Sequence, residues 1–101
     1  MVDDDVELEL EELRRTYRVS LPAKVDALAT AVDARDRETA SALAHRLRGT
    51  SGAYGLSAVS IEAGAIEDAL AEREIDWGAI AARLESLEEE ASRVPARPTR
   101  R

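Results

Sequence analysis

The chain has 101 residues, enough for one domain, with no cysteine and a single histidine, so disulfides, cysteine nucleophiles and multi-histidine metal sites are excluded. Its net charge is −7. Because residues 93–101 carry four arginines and no acidic residue, the net charge of residues 1–92 is −11. Such an acidic body disfavours nucleic acid as a partner. No apolar run suits a membrane span and the acidic start is not typical of a signal peptide, so we expect a soluble, cytoplasmic protein without membrane contacts.

Five segments repeat apolar residues at helical spacing, and each repeat places one apolar stripe on a helix whose other faces are charged. In chain order the stripes are Val6, Leu10, Leu13 and Tyr17; Leu21, Val25, Leu28 and Val32; Leu43, Leu47, Thr50 and Tyr54; Val59, Ala63, Ile66 and Leu70; and Trp77, Ile80, Leu84, Leu87 and Ala91. We expect Leu47, Trp77 and Leu84 in the core. The alternation over residues 6–10 would also suit a strand, but no other segment offers it a partner.

Residues between the stripes indicate where the helices begin and end. Ser20 followed by Pro22 is typical of a helix start, so we predict that the second helix begins there, separate from the first. The other boundary residues are Asp36, Ser57 and Asp76 as N-caps, Gly55 as a left-handed stop and Pro95 as the end of the last helix.

The pattern of helices favours an all-α fold. Four long amphipathic helices joined by short connections predict an antiparallel up-down four-helix bundle, and the first segment is expected to be an additional short N-terminal helix that covers one end. We assign residues 1–94 to this bundle and residues 95–101 to a basic, disordered, solubilising tail.

The face of the third helix that carries His45 is unusual. About 200° separates His45 from the core position Leu43, so the histidine is expected to face solvent. The rest of this face is made of small residues and one arginine, namely Ser41, Ala42, Arg48, Gly49 and Gly52. A glycine inside a helix costs about 1 kcal/mol relative to alanine, so two glycines facing water indicate the close approach of another molecule. Fraying of the helix near Gly52 is the alternative.

An exposed histidine on a flat surface permits few reactions. A neutral imidazole can attack a phosphoryl group, and Arg48, one turn further on, could hold the phosphoryl oxygens. Arg46 flanks the same region. A Ser-His-Asp triad is disfavoured because a convex helix face supplies neither a pocket nor an orienting acid, and a metal site is disfavoured because no second ligand type is nearby. The alternative is an ordinary solvated histidine.

The segment Ala44–Gly55, AHRLRGTSGAYG, resembles the signature of histidine-containing phosphotransfer (HPt) domains. That signature has a basic residue three positions after the histidine, a glycine at four, small residues next, and an apolar residue and a glycine at nine and ten. The flanks are also similar, at Leu21-Pro22, Asp36, Val59, Ala63 and Ile66-Glu67. The resemblance covers most of residues 6–92. Arg48 stands where lysine is commoner, and Glu62 stands where an apolar residue is usual.

The resemblance implies a helical carrier whose histidine accepts a phosphoryl group from a receiver-domain aspartate and passes it to another receiver. His45 would be phosphorylated through its outer nitrogen, and Arg48 would stabilise the phosphoryl group. The residues expected at the receiver interface are Ser41, Ala42, Arg46, Gly49 and Gly52. Response-regulator receiver domains and a hybrid sensor kinase are the implied partners. The receiver would supply Mg²⁺, so the chain itself would need no metal or other cofactor.

The chain is not expected to be a kinase. It has no Gly-rich nucleotide motif, and His45 is followed by Arg46 rather than by the acidic residue typical of self-phosphorylating sensor kinases. We expect a monomer. Two alternatives remain open: a docking protein that binds or sequesters a receiver without being phosphorylated, and a structural or oligomerising bundle whose histidine is incidental.

Overall fold

The computed structural model describes residues 4–95. Within this range the chain forms four α-helices and no strand, which confirms the all-α class. The helices are α1 (Asp4–Asp33), α2 (Arg37–Ala53), α3 (Ser57–Leu70) and α4 (Trp77–Ser92). No helix in these residues is both long and apolar enough to cross a membrane. Of the predicted tail, residues 96–101 lie outside the described residues.

The first two predicted helices are one continuous helix, α1, with Pro22 in its interior. The prediction of a separate short N-terminal helix is therefore wrong. Ser20 does not cap a helix start, because its hydroxyl donates a hydrogen bond of 2.8 Å to the carbonyl of Tyr17 within the same helix. An interior proline costs a helix about 3 kcal/mol. Burial of Leu21 and Val25, on either side of the proline, offsets this cost, since both are at most 4% exposed.

The N-terminal turns of α1 extend past the other helices instead of covering an end of the bundle. With 30 residues, α1 is about 45 Å long, close to the 51 Å longest dimension of the molecule. Of the predicted first stripe only Tyr17 is buried, whereas Val6, Leu10 and Leu13 remain 44–53% exposed. This part of the chain is helical, so the strand considered for residues 6–10 does not form.

The four helices pack in a ring, in which α1 contacts α2, α2 contacts α3, α3 contacts α4, and α4 returns to α1. The stripes predicted for the second and fourth segments are buried completely. Leu47 and Leu84 lie in the core as predicted, but Trp77 is only half-buried at its edge. The large side chains that are at most 2% exposed are Leu21, Leu28, Val59, Ile66, Leu70, Ile80 and Leu87.

Three of the predicted helix boundaries are confirmed. Asp36 and Asp76 each accept a hydrogen bond from the backbone N–H three residues further on, at 3.2 and 3.0 Å. Gly55 has a φ of +80°, the left-handed conformation that stops α2 after Tyr54. Ser57 is not an N-cap, because Leu56 occupies that position and Ser57 is the first residue of α3.

Candidate functional site

A polar cluster fixes the rotation of α2 against α1. The hydroxyl of Tyr17 on α1 hydrogen-bonds with Thr50 Oγ1 at 2.7 Å and Ser51 Oγ at 2.8 Å. The Tyr17 ring also stacks on Tyr54, with centroids 4.9 Å apart. Because successive helical residues are about 100° apart, holding this side of α2 inward turns His45 outward.

His45 lies on the exposed side of α2, as predicted, with 74% of its side chain accessible. Its Nδ1 is 2.7 Å from Oε2 of Glu67 on α3. Partial burial opposes ionisation of Glu67, but the hydrogen bonds from His45 and Arg48 outweigh it and hold the pKa of this carboxyl below its usual value. An ionised carboxylate only accepts hydrogen bonds, so Nδ1 carries the proton, and in the neutral imidazole Nε2 then keeps its lone pair.

The same carboxylate holds Arg48, whose Nη1 is 3.1 Å from Glu67 Oε1. Gly64 on α3 leaves room for the arginine, since a Cβ there would lie 3.3 Å from Arg48 Cδ. Ser60, one turn earlier on α3, donates a hydrogen bond of 2.8 Å to the Arg48 carbonyl. Three residues of α3 therefore position Arg48, and Glu67 joins it to His45.

Two of the predicted interface residues lie beside the histidine. Ser41 and Ala42 line a shallow, solvent-open depression together with His45 and Glu67. Such a surface leaves the outer side of the imidazole accessible to another macromolecule. That Ser41 and Ala42 contact a partner stays a prediction.

The two exposed glycines of α2 differ in their surroundings. A Cβ at Gly49 would meet nothing within 4 Å, whereas a Cβ at Gly52 would lie 3.2 Å from the Ser60 hydroxyl. Close packing of α2 on α3 therefore gives a second reason for a glycine at Gly52, and that Gly52 contacts a partner stays a prediction. The remaining predicted interface residue, Arg46, lies on the side of α2 that faces α1, where it borders a groove with Lys24.

The expectation that no acid orients the histidine is also wrong, because α3 supplies Glu67. From the sequence, Glu67 is only part of a flank that is similar in HPt domains, and no role is predicted for it. The sequence feature that indicates a role for Glu67 is its position directly after the core residue Ile66, because a residue beside a core position lies next to a neighbouring helix. Gly64, which makes room for Arg48, was missed as well.

The arrangement suits nucleophilic attack by Nε2 of His45 on an electrophile that carries negative charge. The carboxylate of Glu67 keeps the imidazole in the required tautomer, and the guanidinium of Arg48 lies beside it. Within residues 4–95, no group of three or more histidine, aspartate or glutamate side chains is placed to hold a metal ion.

The model of one protein family, described as the Hpt domain, matches residues 12–97 of the chain. The match includes the whole His45, Arg48 and Glu67 cluster and omits the exposed first turns of α1. No curated protein and no solved structure matches the chain.

Proposed function

The chain belongs to the Hpt domain family, and on this premise we propose that it is a histidine phosphotransfer protein of a two-component phosphorelay. His45 accepts a phosphoryl group from the aspartate of one receiver domain and passes it to another response regulator. The observation that carries the proposal is the 2.7 Å hydrogen bond between His45 Nδ1 and the Glu67 carboxylate, because it leaves Nε2 as an exposed nucleophile.

Phosphoryl transfer at this site needs no proton transfer. The Nε2 lone pair attacks the phosphorus of the aspartyl phosphate, the N–P bond forms as the P–O bond breaks, and the aspartate leaves as a carboxylate with the bonding electrons. Since Nδ1 already carries a proton, the imidazole ring of His45 becomes positively charged, and Glu67 stabilises that charge. In the onward step the next aspartate attacks phosphorus, and the electron pair returns to Nε2.

Arg48 has a second task in this proposal. One of its guanidinium nitrogens contacts Glu67. The remaining N–H groups make no hydrogen bond to residues 4–95, so they can bind phosphoryl oxygens by charge-assisted hydrogen bonds. The side chain is about half exposed, so it can turn toward the phosphoryl group at small cost.

Several further features belong to the proposal. The chain is a carrier without autokinase activity, it binds no cofactor of its own, and the receiver supplies Mg²⁺. Its partners are response-regulator receiver domains and a hybrid sensor kinase, in the cytoplasm. The phosphotransfer domain comprises the four helices, and the ring of contacts among them supports the antiparallel up-down arrangement.

The test is phosphorylation of His45. The protein and the His45→Gln variant are incubated with phosphoramidate and, separately, with phosphorylated receiver domains, and acid-labile phosphate is measured. We expect labelling from both donors in the wild type and from neither in His45→Gln, with a nearly unchanged melting temperature because the side chain is exposed. Labelled His45→Gln would place the site elsewhere. A wild type that binds receivers but takes no phosphate would be a docking protein.

A further inference from the structure

The first turns of α1 carry an apolar stripe that the rest of residues 4–95 leaves uncovered. Over residues 5–16 every residue except Glu11 is exposed. Within this segment Val6, Leu10 and Leu13 keep 44–53% of their surface accessible, and we call these three residues the α1 stripe. A contiguous apolar row on an exposed helix typically packs against another helix.

The α1 stripe has the spacing of a helix that pairs with another helix. Its residues follow one another at steps of four and three, and Tyr17 continues it at a further step of four, which is the heptad pattern of a coiled coil. At Tyr17 the bundle begins to cover this face, because the ring stacks on Tyr54 at the C-terminal end of α2. A second helix along the α1 stripe would therefore lie where a longer α2 would lie.

The charges in this part of α1 are complementary to those of a second copy. Residues 4–12 include six acidic residues and no basic one, whereas residues 13–18 include three arginines and no acidic one. Two copies that run side by side in the same direction would bring their acidic turns together. In opposite directions, the acidic turns of each copy lie toward the arginines of the other. The charge pattern therefore favours antiparallel pairing of two copies.

Ion pairs inside the chain leave part of this acidic charge uncompensated. Glu11 pairs with Arg14 at 3.5 Å and with Arg18 at 3.3 Å. Glu7 and Glu9 have no ion-pair partner among residues 4–95. The pair between Glu11 and Arg14 is exposed on both sides and therefore weak, so Arg14 can also bind an acidic side chain of a second copy.

We propose that the chain forms a homodimer in which the α1 stripes of two copies pack against each other in antiparallel orientation. Each copy contributes the same three residues, so the contact is isologous and closes at two copies. The exposed turns are already helical, and pairing therefore costs little conformational entropy. An interface of this size is small, so the dimer is weak and depends on protein concentration. It replaces the monomer expected from the sequence.

Dimerisation through the α1 stripe leaves His45 accessible on both copies. Tyr17, at the end of the stripe, contacts Thr50 on α2, whereas Arg46, next to the histidine, borders a groove with Lys24. Lys24 lies seven residues beyond Tyr17, about 10 Å further along α1. One dimer therefore carries two histidine sites, and both lie outside the shared contact.

The experiment measures molar mass by sedimentation equilibrium over a range of concentrations, for the full chain and two matched pairs of variants. Leu10→Gln removes an apolar side chain from the α1 stripe, and Leu8→Gln is its control, because Leu8 is 66% exposed but lies about 160° from Leu10 around the helix. Arg14→Glu reverses a charge at the edge of the stripe. Arg15→Glu makes the same change in net charge on the opposite face of α1.

We expect the mass of the wild type to rise with concentration from 11.0 kDa toward twice that value. Leu10→Gln should raise the dissociation constant of the dimer by about tenfold or more, because the two-fold symmetry places the substitution in the interface twice. Arg14→Glu should raise it by about threefold. Leu8→Gln and Arg15→Glu should dimerise like the wild type, and all four variants should keep their helicity and be labelled by phosphoramidate.

A mass of one copy at every concentration, or a mass that rises beyond two copies, would overturn the dimer. Equal dissociation constants for Leu10→Gln and Leu8→Gln would overturn the α1 stripe as its interface. The chain has no cysteine, so Val6→Cys tests the orientation: a disulfide between two copies needs adjacent positions, and its formation would show parallel pairing and refute the antiparallel one. Failure of phosphoramidate to label His45 would overturn the proposed function and leave the dimer standing.

Discussion

Replacing Glu67 by glutamine isolates the electrostatic role of the acid that holds His45. The amide has nearly the shape of the carboxylate but carries no charge, so packing of α3 on α2 is preserved. It also offers an NH₂ group where the carboxylate only accepts. If that NH₂ faces Nδ1, the histidine must take the other tautomer, and Nε2 no longer has a free lone pair.

The size of the effect follows from the distance and the exposure. The carboxylate is 2.7 Å from Nδ1, so its charge lies about 4 Å from the positive charge that develops on the ring. At this distance the attraction between the two charges is about 1 kcal/mol in water and about 4 kcal/mol at a protein surface of lower dielectric. His45 is 74% exposed, so solvent screening favours the lower part of that range. A loss of about 1–2 kcal/mol slows phosphorylation about 5- to 30-fold.

The assay is the rate of acid-labile phosphate formation on His45 with phosphoramidate, which needs no docked partner. The chain offers a matched control in Glu62, which also lies on α3, is 19% exposed against 22% for Glu67, and accepts a hydrogen bond from the arginine Arg83 of a neighbouring helix. Glu62→Gln should be phosphorylated at the wild-type rate. If Glu67→Gln also keeps that rate, the carboxylate does not activate the histidine.

Four further predictions follow from the contacts. Arg48→Ala should slow receiver-dependent transfer without abolishing it, since the partner's metal remains; an unchanged transfer rate would make Arg48 an ordinary surface residue. Leu47→Ala should cost about 2–5 kcal/mol in denaturant unfolding, as a cavity in the core, and a loss below about 1 kcal/mol would mean that the site is not fully packed. The lowered pKa of Glu67 means that its bridge stabilises the fold above the usual glutamate pKa of 4.5 and that this stability is lost as pH falls through the lowered value. The difference in unfolding free energy between wild type and Glu67→Gln should therefore disappear in acid, and a difference that persists there would refute the assignment. Gly49→Ala should raise stability more than Gly52→Ala in the same assay, because only the second Cβ meets a hydroxyl of α3; equal gains would contradict the packing.

The wrong prediction of two separate helices in place of α1 has a local cause. Ser20 and Pro22 are typical of a helix start and therefore predict a break between the first two apolar stripes. The spacing of the stripes themselves indicates a single helix. Tyr17 and Leu21 are four residues apart, so the first and second stripes are in phase and lie on one face of a single helix. The chain remains helical through the proline because the core residues around it gain more from burial than the missing hydrogen bond costs.

The exposure of the first stripe depends on the length of the neighbouring helices. The two in-phase stripes extend from Val6 to Val32, about 39 Å of helix, whereas α2 has 17 residues and covers only about 25 Å. Among residues 4–95, none of α2, α3 and α4 is long enough to cover both stripes. The sequence pattern shows that Val6, Leu10 and Leu13 share a face, but only the lengths of the partner helices show that this face stays in water.

The contact between His45 and Glu67 follows from the register of α2 and α3. His45 lies opposite Glu67, and three residues further along α2 Arg48 lies against the position three residues back on α3, Gly64. Four residues further along α2, Gly52 lies against Ser60, which is four residues before Gly64 on α3. The two helices therefore run in opposite directions in one constant register, with a glycine at two of the three contacts. Periodicity predicts that His45 faces outward, because that depends on α2 alone. It does not predict the acid beside His45, because the register is set where these glycines let the helices approach. In this structure Gly52 therefore affects His45 through packing, because it helps to hold α3 in the register that brings Glu67 to Nδ1.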